Sequence, residues 1–281
     1  MKTPFPTSPG SRLLSLLGSA LVWILALLVL FPLANMLLSG FKTSQEIHRA
    51  QILPSVFRID NFMKVISTQG VMSSFLNSAL IAMGSITLTL MLCSIASYGL
   101  ARKKEKIFSF LYFLFLSAMI IPAVAALVPL YTMMRAAGLI DNPLGLILIY
   151  AAGGTPFCVL LFTSFIKTIP VSLDEAAVLD GCSYVGRFFR VIFPLMKPVS
   201  ISFIVLQLPA IWNDFLMPLL FIRSKANRTI TLAVYSFTRE HETDAGAVYA
   251  LLLLALLPPL VFFIIAQKQL YRGITAGAVK G

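Results

Sequence analysis

The chain has 281 residues, 58% of them hydrophobic and only 12% charged, where a soluble domain carries about 25% charged residues. A soluble fold could not hide that much apolar surface, so a composition with mean hydropathy +0.91 excludes one and indicates an integral membrane protein. The net charge of +11 comes from 22 Lys+Arg against 11 Asp+Glu, but the bases are spread over short loops, which argues against nucleic-acid binding and reads as membrane topology.

A membrane-spanning helix needs about 20 apolar residues. Six stretches meet that need: residues 13–33, 75–100, 107–134, 144–166, 199–222 and 246–266, the fifth broken by Asn213 and Asp214. The short alternating strands of a membrane barrel are not found, so the expected fold class is all-α with six transmembrane helices. The first stretch exceeds the roughly 7–15-residue apolar core of a signal peptide, and no A-x-A-like cleavage site follows, so it reads as a retained anchor. An even number of spans places both termini on one side. With the termini inside, 13 of the 22 basic residues lie in inside segments. The run Arg102-Lys103-Lys104-Glu105-Lys106 directly flanks two spans, so cytoplasmic termini are expected. The resulting division is a cytoplasmic N-terminus with the first span (1–33), an outer loop (34–74), a five-helix core (75–266) holding a cytoplasmic loop (167–198), and a cytoplasmic tail (267–281).

Pro122, Pro129, Pro209, Pro218, Pro258 and Pro259 interrupt three of the spans. Kinked helices suit a cavity that opens alternately, and they also occur in static membrane bundles. Cys93, Cys158 and Cys182 have no C-x-x-C spacing, and His48 and His241 lie beside charged loop residues, so no metal or redox centre is expected.

The loop 167–198 is the most informative segment. Ser172 and Glu175 have capping-box spacing, which predicts a helix starting there, with Asp174 and Glu175 in its first turn. Gly181 suits its stop, with positive φ. Ser183 caps a second short helix that should end before Pro194, with Phe188, Phe189 and Ile192 opposite Arg187 and Arg190. The small pair Ala176-Ala177 would let another protein come close. On these residues alone, an amphipathic connector lying at the interface stays open as a reading.

Glu175-Ala176-Ala177, then Asp180-Gly181, then Ile192-Phe193-Pro194, resembles the EAA motif of ABC importer permeases: E-A-A, G six residues after the Glu, then I-x-L-P. Phe193 stands where Leu is usual. The resemblance implies a type I ABC importer permease fold in which this loop is a coupling helix docking on a cytoplasmic ATPase, with Glu175, Ala176, Ala177, Asp180, Gly181, Arg187 and Pro194 as its coupling residues. Trp212-Asn213-Asp214-Phe215, the outer-loop segments Phe41-Lys42-Thr43 and Asn61-Phe62, and the tail 271–281 are similar to the carbohydrate-importer branch. There the tail, here including Thr275, Gly277, Lys280 and Gly281, reaches the ATPase interface. The absence of a large outer insertion matches the shorter, MalG-like permease of that branch.

The resemblance further implies a second, MalF-like permease, two ATPase subunits and an extracytoplasmic solute-binding protein as partners, all at a bacterial cell membrane. The solute class would be a sugar, oligosaccharide or related compound. The chain has no G-x-x-x-x-G-K-[ST] loop, so ATP and Mg would be used by the partner subunits, and no cofactor is expected on this chain.

Asp214 is the one acid within a span, eight residues before Ile222 and so about 12 Å along a helix. An intramembrane acid faces an interior or a watery path, as a gate residue or as a structural hydrogen-bond partner. The same alternatives apply to Asn213. Trp212 could stack on a sugar or sit as an interfacial aromatic, and Asn77 is a further candidate for the path. A secondary transporter would want more intramembrane ionisable groups, and a membrane enzyme would want a nucleophile or an acid–base pair. Neither is found in the spans.

Overall fold

The computed structural model describes residues 9–241 and 243–278, with side chains for 15–122, 124–241 and 243–267. Among the described residues the regular structure is entirely helical. In chain order the α-helices are α1 (Pro9–Ser39), α2 (Ser44–His48), α3 (Asp60–Ser67), α4 (Val71–Arg102), α5 (Lys106–Ser117), α6 (Leu127–Ala136), α7 (Pro143–Thr168), α8 (Val171–Leu179), α9 (Tyr184–Arg187), α10 (Phe193–Leu195), α11 (Lys197–Trp212), α12 (Leu216–Phe221), α13 (Ile230–Glu240) and α14 (Ala245–Ala278).

Four helices are long and apolar enough to cross a membrane: α1, α4, α7 and α14. Two bent pairs, Lys106–Ile120 with Val124–Ala136 and Tyr184–Leu195 with Lys197–Trp212, make up to six if each is one span. This is a multi-pass membrane protein. The expected third stretch is not a continuous helix: its halves, Lys106–Ile120 and Val124–Ala136, meet at 93°. Pro122 has no N–H to continue the helix, and it holds Ile121 extended at φ −75°, ψ 121°. The fifth stretch breaks at Asn213–Phe215, between α11 and α12, as its two polar residues lead one to expect. Helices overrun the apolar stretches where nothing stops them. The 32 residues of α4 measure about 48 Å and exceed a hydrocarbon core of about 30 Å. By contrast α7 is sharply bounded. Asn142 caps it by accepting from the N–H of Leu144, with Pro143 at the first helical position, and Ile169 is held extended before Pro170.

The chain folds as two compact units. The first holds residues 1–67 and 237–254. No part of the apolar window of α1 is buried. The turn after α1 is organised by Lys42, only 1% exposed, whose Nζ donates to the Gln51 carbonyl at 2.7 Å and to Asn35 Oδ1 at 3.4 Å. Thr43 and Glu46 form a reciprocal capping box for α2. Hydrogen bonds from the backbone and hydroxyl of Thr43 and the backbone of Ser55 pull the Glu46 carboxyl down to about 2. Asn61 Nδ2 donates to the carbonyls of Gly40 and Lys42, each at 2.9 Å. Phe41-Lys42-Thr43 and Asn61 are thus parts of one local fold. A polar cavity of about 510 Å³ lies beside it, lined in part by Thr43, Arg58, His241 and the Lys64–Asp244 ion pair.

The second unit holds residues 68–236 and 255–281. Its centre is the pair α4 and α7. Small side chains on α4 permit close approach: a Cβ on Gly84 would lie 3.0 Å from Ile147 Cδ1, and Thr89 Oγ1 donates to the carbonyl of Ala151 at 3.3 Å as well as to that of Ser85 at 2.8 Å. One apolar cluster joins Cys93 and Tyr98 on α4, Phe162 and Ile166 on α7, Phe188, Ile192 and Met196 in the loop, and Phe203 on α11. A second joins Ile81, Leu146 and Ile149 to Phe221, Ile222 and Leu232.

Candidate functional site

The loop between α7 and α11 folds as the residue types direct, with two differences. α8 begins at Val171, behind Pro170, so the expected capping box between Ser172 and Glu175 does not form. Ile169 and Pro170 are extended, which moves the cap from Ser172 to Pro170, two residues earlier, and puts Ser172 inside the first turn. Gly181 ends the helix as expected. Its φ is +78°, the N–H of Cys182 donates to Ala177 O and that of Gly181 to Val178 O, each at 2.9 Å, the two bonds of a Schellman turn. Ser183 then caps α9 by accepting from Gly186 N at 3.1 Å. The helix does not end before Pro194. It widens into a π-turn at Phe188–Ile192, where Phe193 N donates to Phe188 O, and runs on through Pro194 to Leu195. Pro194 cannot donate to the preceding turn, which favours this wider register.

Asp174 anchors α8 to the body of the unit. It is 5% exposed and accepts from Tyr98 Oη at 2.6 Å and Arg102 Nε at 2.9 Å, the latter an ion pair. Arg102 Nη2 also donates to the carbonyl of Ile169 at 2.9 Å. The two α4 residues therefore hold both the first turn of α8 and the strand-like residue before it. Tyr98 stacks at 5.0 Å from Tyr184 and 5.6 Å from Phe188, so the same residue fixes the second half of the loop.

This clamp sorts the expected coupling residues by face. Glu175, Ala176, Asp180, Gly181 and Pro194 are exposed. Ala177 is not: at 5% exposure it packs inward beside Asp174, so only Ala176 of the small pair is open to another protein. Val178 and Leu179, 51% and 88% exposed, add apolar surface to the open face. Arg187 lies with its guanidinium 5.3 Å from the Tyr184 ring, and its buried Nε has no partner among the described residues. In the tail, Thr275 and Gly277 fall in the last turns of α14, where side chains lie outside the described residues, and Lys280 and Gly281 lie outside them altogether.

The polar residues expected along a path share the second unit. Asn77 Nδ2 donates to the carbonyls of Ala226 at 2.7 Å and Arg228 at 3.0 Å, tying that loop to α4. Trp212 is 7% exposed and donates Nε1–H to Ala255 O at 3.1 Å, which makes it an internal strut and closes its ring to a stacking sugar. Asp214 accepts from Tyr150 Oη and from Leu216 N, each at 2.9 Å, and so closes a local turn into α12 while bracing α7. Asn213 is exposed at the break.

Three residues of the clamp were invisible as a site in the sequence. Arg102 reads there as a topology charge, Asp174 as a helix-dipole residue, and Tyr98 as part of an apolar run. Their separations of 72 and 76 positions leave no local signal. Gln207, an amide midway along α11, was also missed, although a lone amide inside an apolar run is a readable signal.

Comparison with known proteins adds to this geometry. Residues 93–276 match the family model described as "Binding-protein-dependent transport system inner membrane component". The "Probable ABC transporter permease protein YurM" of Bacillus subtilis (strain 168) is 34% identical over 270 residues, covering 94% of this chain and 90% of the relative. The "Probable starch degradation products transport system permease protein AmyC" of Thermoanaerobacterium thermosulfurigenes is 33% identical over 258 residues, covering 92% and 94%. A crystal structure of a bacterial ABC transporter involved in the import of the acidic polysaccharide alginate has a similar fold, with TM-score 0.82 at 21% identity, over 95% of this chain and 99% of that one.

Proposed function

The chain belongs to the family of binding-protein-dependent transport system inner membrane components, and from that premise we propose how this ABC importer permease subunit works and what it carries. As a permease subunit it is a membrane component rather than an enzyme. The solute is a sugar or oligosaccharide, a class supported by the name of the starch-degradation-product permease that it resembles over nearly its whole length. Six spans, the third bent at Pro122 and the fifth broken at Asn213–Phe215, form half of a translocation path. A second, MalF-like permease forms the other half, and an extracytoplasmic binding protein delivers the solute. Two ATPase subunits bind and hydrolyse ATP with Mg, and this chain holds no cofactor. Both termini are cytoplasmic, with the outer fold of residues 34–74 on the opposite side, and the tail from 267 onward reaches the ATPases.

The observation that carries the mechanism is the two-faced α8. Its inner face is fixed to α4 by Asp174, and its outer face, with Glu175, Ala176 and Leu179, is open and partly apolar. An exposed apolar patch beside a charge suits a docking partner. ATP-driven closure of the ATPases pushes on that face. Because Asp174, Tyr98 and Arg102 leave α8 no independent freedom, the displacement passes to α4 and through its packing to α7. At the outer end, Asn77, Asn213 and Asp214 border the path where α11 and α12 break.

Glu175→Lys tests this reading. The variant chain should reach the membrane and keep its partners while ATP hydrolysis no longer drives uptake. Uptake at the normal rate per ATP would remove α8 from the coupling role.

A further inference from the structure

We infer that Gln207 is a solute-contacting residue of the translocation path, a hydrogen-bonding station for sugar hydroxyls halfway across the membrane; this rests on the importer reading above. Gln207 lies in the middle of α11, in the half-exposed class, and among the described residues it has no hydrogen-bond partner. An amide carries two donors and an acceptor. In hydrocarbon an unsatisfied polar group is strongly disfavoured, so its open side does not face lipid tails.

The neighbours are already committed. Thr89 spends its hydroxyl on the carbonyls of Ser85 and Ala151, and the Asp214 carboxylate takes Tyr150 and the N–H of Leu216. The amide nevertheless has a place prepared for it. A Cβ built on Gly154 would meet Phe203 Cζ at 3.6 Å and Gln207 Nε2 and Thr89 Cγ2 at 3.7 Å each, so the amide lies beside the Gly154 position of α7. The side chain therefore lies toward α7. Gly153, the residue before it on α7, is exposed with open space where its Cβ would be.

The arrangement is a small-residue floor with one uncommitted amide above it. A hydroxyl is both donor and acceptor and so is an amide, so the group fits a neutral polyhydroxylated solute without holding it as a charge would. Seven positions earlier on α11, Ser200 continues the same face, about 10 Å away at 1.5 Å per residue. A chain of hydroxyls passing along the helix therefore meets a second polar side chain about two turns away.

The test uses the whole transporter in proteoliposomes, with its partner permease, ATPases and binding protein. Radiolabelled maltotriose and raffinose serve as probes, the wild-type complex choosing between them. Gln207→Leu should lower solute imported per ATP hydrolysed at least tenfold, with binding-protein-stimulated ATPase within twofold of wild type, and Gln207→Asn should recover part of the loss. A Gln207→Leu complex importing at the wild-type ratio would overturn the inference. So would a Gln207→Leu chain that no longer co-purifies with the partner permease, because the amide would then be an interface residue. A wild-type complex that imports neither probe on ATP addition would instead strike the importer reading itself.

Discussion

Removing the Asp174 carboxylate should free α8 from the body of the unit and uncouple the transporter. The worked case is Asp174→Ala. It deletes a 2.6 Å bond from Tyr98 Oη and a 2.9 Å ion pair with Arg102 Nε, and leaves a guanidinium whose side chain is 11% exposed without its counter-charge. Charge-assisted bonds contribute about 1.5–3 kcal/mol each, and breaking a buried pair from one side costs about 3–5 kcal/mol. Arg102 keeps its bond to Ile169 O and some access to water, which favours the lower figure. About 3 kcal/mol corresponds to roughly a 100-fold rise in the undocked population of α8. Hydrogen exchange on the assembled transporter should show the amides of residues 174–182 losing protection by about that factor, and solute imported per ATP should fall with it. Tyr98→Phe, which removes one hydroxyl and leaves the ion pair, should cost about 1.5–2 kcal/mol, the lower part of that range, and lie between wild type and Asp174→Ala in both assays. Unchanged protection and unchanged coupling in Asp174→Ala would refute the clamp as the route of transmission. So would an inverted order of the two variants.

Gly181→Val should destabilise the turn after α8 by about 1–2 kcal/mol through the φ of +78° rather than through any clash, because nothing lies within 4 Å of its Cβ position. Gly181→Asn should be close to wild type in coupling, and equal behaviour of the two would argue against a backbone role. Partial burial pushes the Asp141 carboxyl up, but the N–H groups of Ser224 and Arg223, the Ser224 hydroxyl and the Asn227 amide together hold it below the ordinary carboxylate range. Its contribution to stability is therefore fully present above a pH of about 4 and is lost as pH falls through the depressed value. Thermal unfolding between pH 7 and 3 should show an acid-dependent loss that is smaller in Asp141→Asn. Gly246→Ala would place a Cβ 2.5 Å from the carbonyl of Lys42 and 2.8 Å from Asn61 Nδ2, so the backbone of the first unit must shift. A loss of about 1–3 kcal/mol, seen as a lower midpoint in detergent, is expected.

What the sequence discloses and what it withholds follow from the range of the forces involved. The apolar stretches of α1, α4, α7 and α14 are legible because lipid demands about 20 apolar residues in a row. Gly181 and Ser183 are legible because a positive φ and a helix cap are set within a few positions. The start of α8 is misplaced by two residues because Pro170 acts on its neighbour more strongly than Ser172 acts as a cap. The 93° turn at Pro122 is legible as a proline but not as an angle, which packing sets. The direction of Ala177 depends on which side of α8 the Asp174 clamp binds. That clamp joins positions 72 and 76 residues apart, beyond the reach of any local pattern.

The central claim is that this chain works as one permease within an ATP-driven assembly. The most direct measurement is mild solubilisation of the tagged chain from its native membrane, identification of what co-purifies, and uptake by the recovered material in liposomes with and without ATP. The account predicts a second permease and an ATPase with a phosphate-binding loop, with sugar uptake only when ATP and the binding protein are present. A chain recovered alone that transports in liposomes without ATP would contradict it.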